Sequence, residues 1–134
     1  KIRSKNFSYL KNKLNKIKNI EILQTNSNNE FLSSYYCMSF LLKEKLKSKR
    51  VKIIRYLNIL GIGTSIYYPK IIPMFSYYKK IGRFKTSNLK NAKAISDNSI
   101  CIPVGPHLSK RNLDYMIEKI KKINLIKWKR KKKF

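Results

Sequence analysis

Apolar residues return every three or four positions at the start of the chain. Phe7, Leu10, Leu14 and Ile17 form one stripe with lysines opposite, which predicts an amphipathic helix. "NIEILQ" follows as a short extended segment, and "TNSNNE" as a polar loop. "SSYYCMSFLL" is apolar on both faces and rich in aromatics, the pattern of an inner strand. "KEKLKSKR" is a charged link or helix start. From Lys49 onward Val51, Ile54, Leu57 and Leu60 recur and predict a second helix, with Gly61 at its left-handed C-terminal position. "GTSIYY" reads as a strand stopped by Pro69 and Pro73. "MFSYYKKIG" and "NLKNAKAISDNS" read as short helices, and "ICIPV" as a brief strand. Ser109 is placed to cap a last helix with Leu113, Met116, Ile117, Ile120 and Ile123 on one face. Few strands among several helices, without an internal repeat, predict one α+β domain with a small antiparallel or mixed sheet flanked by helices.

Composition changes the picture in one respect. The chain has 134 residues, enough for one small domain, and carries a formal net charge of +26. Such a charge attracts phosphate and raises an alternative function, a lysine-rich RNA- or ribosome-associated binding module without catalysis. Yet only six of the 32 basic residues are arginine, the residue that reads bases bidentately. Lys, Ile, Asn and Tyr, all abundant here, are the residues of A/T-rich codons. The aromatics also cluster in apolar segments instead of among the basic residues. Most of the charge therefore reads as solvated surface.

Cys37 and Cys101 sit in apolar stretches without a CxxC pair, so no zinc site is implied and buried free thiols of a reducing compartment, the cytoplasm, are expected. No apolar run approaches the roughly 20 residues of a membrane span. No signal-peptide pattern is visible at the start. The first residue is Lys, not Met, and the chain reads as a piece of a longer protein.

"NILGIGTSIYYPKIIP", residues 58–73, is nearly free of charge and punctuated by glycines and prolines. A phosphate loop needs its glycines after a strand and before a helix. Here the helix comes first, and Ile66 stands where GxGxxG wants its third glycine. Gly61 is instead a helix stop, Gly63 eases entry into a strand, and the strand delivers Tyr67 and Tyr68 to a proline-braced rim. Alternation would send one tyrosine to the core and the other to a cleft.

"LGIGTSIYYPKIIPMFSYYKK" followed by "NAKAISDNSICIPVGPHLS" resembles the C-terminal small domain of the DegT/DnrJ/EryC1/StrS family of sugar aminotransferases. Gly61, Ile62, Thr64, Tyr67, Tyr68, Pro69, Ala94, Ser99, Pro103, Pro106, Leu108 and Ser109 match that pattern in order, and "RSKNFSYLKNKL" resembles the helix that opens the domain. The resemblance covers about residues 2–124 and implies a small domain over residues 1–126 followed by a basic tail, 127–134. Two features depart from the family. Arg50 is followed by Val51 where the family carries Arg-Asp, and "IIPMF" lacks the usual histidine.

The resemblance implies a fold-type I aminotransferase, homodimeric when whole, using pyridoxal 5'-phosphate. An amino donor, commonly glutamate, loads the cofactor, and a nucleotide-linked keto-sugar takes the amino group. It also implies that the Schiff-base lysine, the aspartate facing the pyridine nitrogen and the phosphate loop lie in a large domain outside this chain, which alone would be inactive. No catalytic, cofactor-binding or metal residue is assigned here. Tyr67, Tyr68 and Lys70 are the candidate substrate-binding residues, with Lys70 as a cation for a diphosphate. Tyr77 and Tyr78 are read as packing residues, His107 as a surface residue in a turn, and Asp97 and Asp114 as helix-surface carboxylates.

Overall fold

The computed structural model describes residues 1–23, 32–82 and 88–128. The polar loop expected at 25–30 and the basic tail from residue 129 lie outside them. Helix α1 (Ile2–Leu14) buries Phe7, Leu10 and Leu14 of the predicted stripe, while Ile17, its fourth member, is buried beyond the helix end. Strand β1 (Ile20–Ile22) follows. Strand β2 (Met38–Leu42) is the middle of the sheet, as its two-sided apolar pattern requires, although residues 32–37 before it stay outside the ladder. A 3₁₀ turn (Glu44–Lys49) leads into helix α2 (Arg50–Ile59). A second 3₁₀ turn (Ile72–Met74) precedes α3 (Ser76–Ile81), then come α4 (Lys90–Asn98), strand β3 (Ser99–Ile102) and α5 (Lys110–Lys122).

The sheet has three strands in the order β1-β2-β3, antiparallel throughout, with Ile22 opposite Phe40 and Phe40 opposite Ile100. This is the α+β layer expected from the sequence. Period-2 alternation divides the sheet's residues. Met38, Phe40, Leu42, Ile100 and Ile102 join one core cluster with Leu10, Leu14, Leu57 and Ile120 from the helices. Ser39, Leu41, Ser99 and Cys101 occupy the alternate positions, and α4 packs against β2 and β3.

Helices α1 and α5 pack together, and polar links over long sequence distances fix them. Tyr9 donates its hydroxyl to Asp114 at 2.5 Å. Asn6, itself buried, donates Nδ2 to the carbonyls of Val104 and Gly105 at 3.2 and 3.0 Å. Helix α5 opens on the expected cap: Ser109 Oγ accepts from the Asn112 amide, and Asn112 Oδ1 accepts from the Ser109 amide at 2.9 Å.

The buried face of α2 differs from the expected one. Ile53 and Leu57 enter the core, while Val51 is 74 % exposed. A spacing of three drifts around a helix of 3.6 residues per turn, so a stripe that includes Leu57 takes in Ile53, four before it, and leaves Val51 outside.

Candidate functional site

The segment after α2 is aimed by its first glycine. Gly61 has φ +75°, its amide donates to Asn58 at 3.0 Å, and the Ile62 amide donates to Leu57 at 2.9 Å. These two bonds make a Schellman ending with buried Ile62 as its apolar anchor. The Thr64 hydroxyl donates to the Asn58 side chain at 2.9 Å and holds the turn from the other side.

The expected strand "GTSIYY" shrinks to one residue. Ser65 exchanges two backbone bonds with Cys101, at 3.0 and 2.9 Å, and the pairing ends there. Pro69 offers no N–H to a ladder and restricts Tyr68 before it. Alternation therefore does not sort the tyrosines between core and cleft. Tyr67 is 41 % and Tyr68 73 % exposed, and a cis peptide joins them. Lys70 follows, also exposed. The structure thus brings Tyr67, Tyr68 and Lys70 to one exposed turn.

That turn stands between cavities. On one side is a cleft of about 370 Å³ lined by Arg3, Tyr36, Thr64, Tyr67 and His107, with Cys37 and Cys101 in its wall. Tyr36 and Tyr67 meet edge to face, centroids 6.0 Å apart, with their hydroxyls 3.4 Å apart. That hydroxyl contact is the main reason the Tyr36 phenol is held above its ordinary range. Cys101 is buried as expected, but Cys37 is half-buried; both are free thiols. Burial, followed by the neighbouring Cys101, pushes the Cys37 thiol up.

On the other side Tyr67 and Tyr68 wall an apolar groove of about 640 Å³, closed by Ile71, Ile72, Phe75, Leu89 and Ile95. A smaller cleft of about 250 Å³ shares Lys70, Ile71 and Ser96 with this groove and adds Lys79, Lys93 and Asp97.

Other assignments meet the structure unevenly. Tyr77 and Tyr78, expected to pack in the fold, are exposed and pack on each other at 5.3 Å. Asp97 pairs with Lys93 on the α4 surface at 2.7 Å, as a helix-surface carboxylate should. His107 is exposed, with its ring folded over Gly105. Arg3, Tyr36 and Ser96 were not singled out from the sequence. No motif marks them, because only the tertiary fold carries Arg3 and Tyr36 to the Tyr67 turn and sets Ser96 beneath the groove.

A family model described as the DegT/DnrJ/EryC1/StrS aminotransferase family matches residues 1–121. The chain belongs to that family. It is 26 % identical over 92 residues to the dTDP-4-amino-4,6-dideoxy-D-glucose transaminase of Shigella dysenteriae, an alignment covering 69 % of this chain and 24 % of that protein. Among solved structures it superimposes on the PMP-form of the putative sugar aminotransferase Spr1654 from Streptococcus pneumoniae with a TM-score of 0.78, at 25 % identity, covering 92 % of this chain and 30 % of that one. The aminotransferase TlmJ from Streptoalloteichus hindustanus shares the fold, with a TM-score of 0.76 at 19 % identity over 92 % of this chain and 32 % of that one. The chain thus spans about a quarter of the curated relative's length.

Solved relatives include a PLP-form, so the cofactor can be tested against the residues present. They do not fit it. No described lysine is buried, so none occupies the desolvated pocket that lowers an amine's pKa for Schiff-base chemistry. No described carboxylate is buried either, so none is placed to face a pyridine nitrogen. Among the described residues no cluster of three His, Cys, Asp or Glu could hold a metal, and no helix is long and apolar enough to cross a membrane.

Proposed function

We propose that this chain is the C-terminal small domain of a pyridoxal-phosphate-dependent nucleotide-sugar aminotransferase, where it closes one side of the substrate cleft. The observation that carries the proposal is the Tyr67–Lys70 turn. In a chain of this family, that turn presents two exposed aromatic rings and a cation between cavities. The overall reaction is transfer of an amino group, with glutamate as donor, to the keto carbon of a nucleotide-linked sugar. The lysine, aspartate and phosphate loop that hold the cofactor belong to the rest of a homodimeric, cytoplasmic enzyme.

This domain's part is recognition. Tyr67 and Tyr68 offer flat apolar faces with a hydroxyl at the tip, suited to a sugar or base. Lys70 offers a point charge to phosphate. Family membership and the exposed turn support this reading over an RNA-binding module. The reading frame upstream of Lys1 is the place to test it. The joined polypeptide should convert a dTDP-linked 4-keto sugar in the presence of glutamate. An in-frame stop directly before Lys1, with no pyridoxal domain encoded nearby, would count against it. The 134-residue chain alone should give no borohydride-trapped pyridoxal adduct at a single lysine, and a stoichiometric adduct at one site would refute that assignment.

A further inference from the structure

We infer that Cys37 and Cys101 are a redox pair in the wall of the cleft between Tyr36 and Tyr67, which an oxidised low-molecular-weight thiol such as oxidised glutathione converts to an intramolecular disulfide. The inference makes no use of the aminotransferase reading. Three observations carry it.

The first is placement. The chain has two cysteines, and both line the cleft of about 370 Å³ as free thiols. They are far apart in sequence, and the sheet brings them together. Ser39 faces Cys101 across the β2–β3 ladder, and Cys37 comes two residues before Ser39. Ser39 Oγ stands between the sulfurs, 2.9 Å from Cys101 Sγ and 3.9 Å from Cys37 Sγ. The two thiols are also close enough to hydrogen-bond to each other.

The second is asymmetry. Cys101 is 2 % exposed, and its backbone is held between β2 and the two bonds to Ser65. Cys37 is half-buried and precedes β2, outside the ladder. Cys37 is thus the thiol a reagent reaches first, and Cys101 the protected one behind it. The reaction is thiol–disulfide exchange in two steps. Cys37 gives its proton to water, and its thiolate attacks one sulfur of oxidised glutathione and expels a glutathione thiolate. Cys101, deprotonated in turn, attacks the Cys37 sulfur and expels the second. The pair loses two electrons, the reagent gains them, and the two glutathione thiolates take up the two protons. Ser39 favours the Cys37 thiolate by a hydrogen bond, but burial and then Cys101 outweigh it and hold the thiol up. The first step is therefore slow, and the pair stays reduced until oxidised reagent accumulates.

The third is the link to the cleft. Tyr36 adjoins Cys37, and its ring meets that of Tyr67 with centroids 6.0 Å apart and hydroxyls 3.4 Å apart. Diagonal neighbours on antiparallel strands stand about 7–8 Å apart. A disulfide holds its Cα atoms at roughly 5.5–6 Å. Cys101 is fixed, so closing the bond draws residue 37 toward β3 and carries Tyr36 with it. Oxidation would in this way reshape the mouth of the cleft.

The test is incubation of the folded 134-residue chain with excess oxidised glutathione, read by thiol counting and by mass spectrometry without reductant. The monomer should lose both free thiols and the mass of two hydrogens, and dithiothreitol should restore them. Cys101→Ala should stop at a mixed disulfide between Cys37 and glutathione. Cys37→Ser should slow the modification of Cys101 at least about tenfold, because the remaining thiol is buried. In the parent chain the ring resonances of Tyr36 and Tyr67 should shift on oxidation and return on reduction. Thiols that stay free, disulfides only between chains, or a mixed disulfide in the parent chain that Cys101 never displaces would overturn the inference. A disulfide that forms without moving either ring would overturn its effect on the cleft. Should a variant fail to fold, the thiol count and mass of the parent chain decide the point alone.

Discussion

Gly61 and Gly63 stand two residues apart at the entrance to the Tyr67–Lys70 turn, and replacing each with alanine should move stability in opposite directions. At Gly61 an added Cβ would meet nothing within 4 Å, so sterics against neighbours contribute nothing. The cost is entirely in the backbone: φ is +75°, and an L-residue held there loses about 1–2 kcal/mol. At Gly63 the space is equally open, but φ lies outside the left-handed range. There alanine only narrows the unfolded ensemble, a gain of about 0.4–1 kcal/mol. Unfolding entropy scales with length, so 1 kcal/mol shifts the midpoint of a chain this size by about 3–4 °C. Gly61→Ala should therefore melt about 4–7 °C below the parent chain and Gly63→Ala about 1–3 °C above it, read by circular dichroism at 222 nm. Gly61→Asn should recover part of the loss, because asparagine tolerates the left-handed region. Gly61→Ala melting at or above Gly63→Ala would refute the Schellman ending and the aim it gives to the turn.

Further expectations concern the site and the helix pair. In the joined enzyme, Tyr→Phe at whichever of Tyr67 and Tyr68 faces substrate should raise the apparent KM for nucleotide sugar about two- to tenfold and leave the glutamate half-reaction unchanged. Lys70→Ala should raise the same KM about two- to fivefold, with an effect that fades as salt rises, since its charge is exposed; unaltered kinetics in all three variants would make the turn scaffold only. The Tyr9 phenol is held above the ordinary value of 10.0, first by its bond to Asp114, then by burial and by the carboxylate's charge. The neutral phenol is thus favoured in the folded state, so its contribution is intact at neutral pH and is lost as pH climbs through the raised value. The stability gap between parent and Tyr9→Phe should shrink above about pH 10 in urea titrations, and a gap independent of pH would contradict the assignment.

The elements legible in the sequence were those fixed by local rules. The stripes of α1 and α5 fall at helical spacing, Ser109 caps where its neighbours need a donor satisfied, and Gly61 sits where a left-handed residue is required. β2 was legible as the inner strand because both its faces are apolar. What escaped was decided by distant parts of the chain. "GTSIYY" has strand composition, but only Ser65 finds an edge to pair with. Its tyrosines therefore lack the alternation that a ladder would impose. Tyr77 and Tyr78 look like core residues by type, yet α3 meets no layer that could bury them. At the site, Tyr67, Tyr68 and Lys70 were readable because they adjoin one another in a motif. Ser96 was not, because a serine in a lysine-rich helix carries no mark until the groove above it exists.

Helix α3 has a consequence for how the domain opens. It is six residues long, and none of them is buried. Hydrogen bonds in so short a helix, with no apolar face against the core, open without the rest of the protein unfolding. Its amides should exchange with deuterium within seconds at neutral pH, while those of Leu113, Met116, Ile117 and Ile120 in α5 wait for global unfolding. The surface of Ser76–Ile81 can thus open apart from the sheet. Whatever comes to rest on that surface in a larger enzyme would slow exchange in α3 by its own binding free energy, so the exchange rate of this one helix measures the strength of that contact.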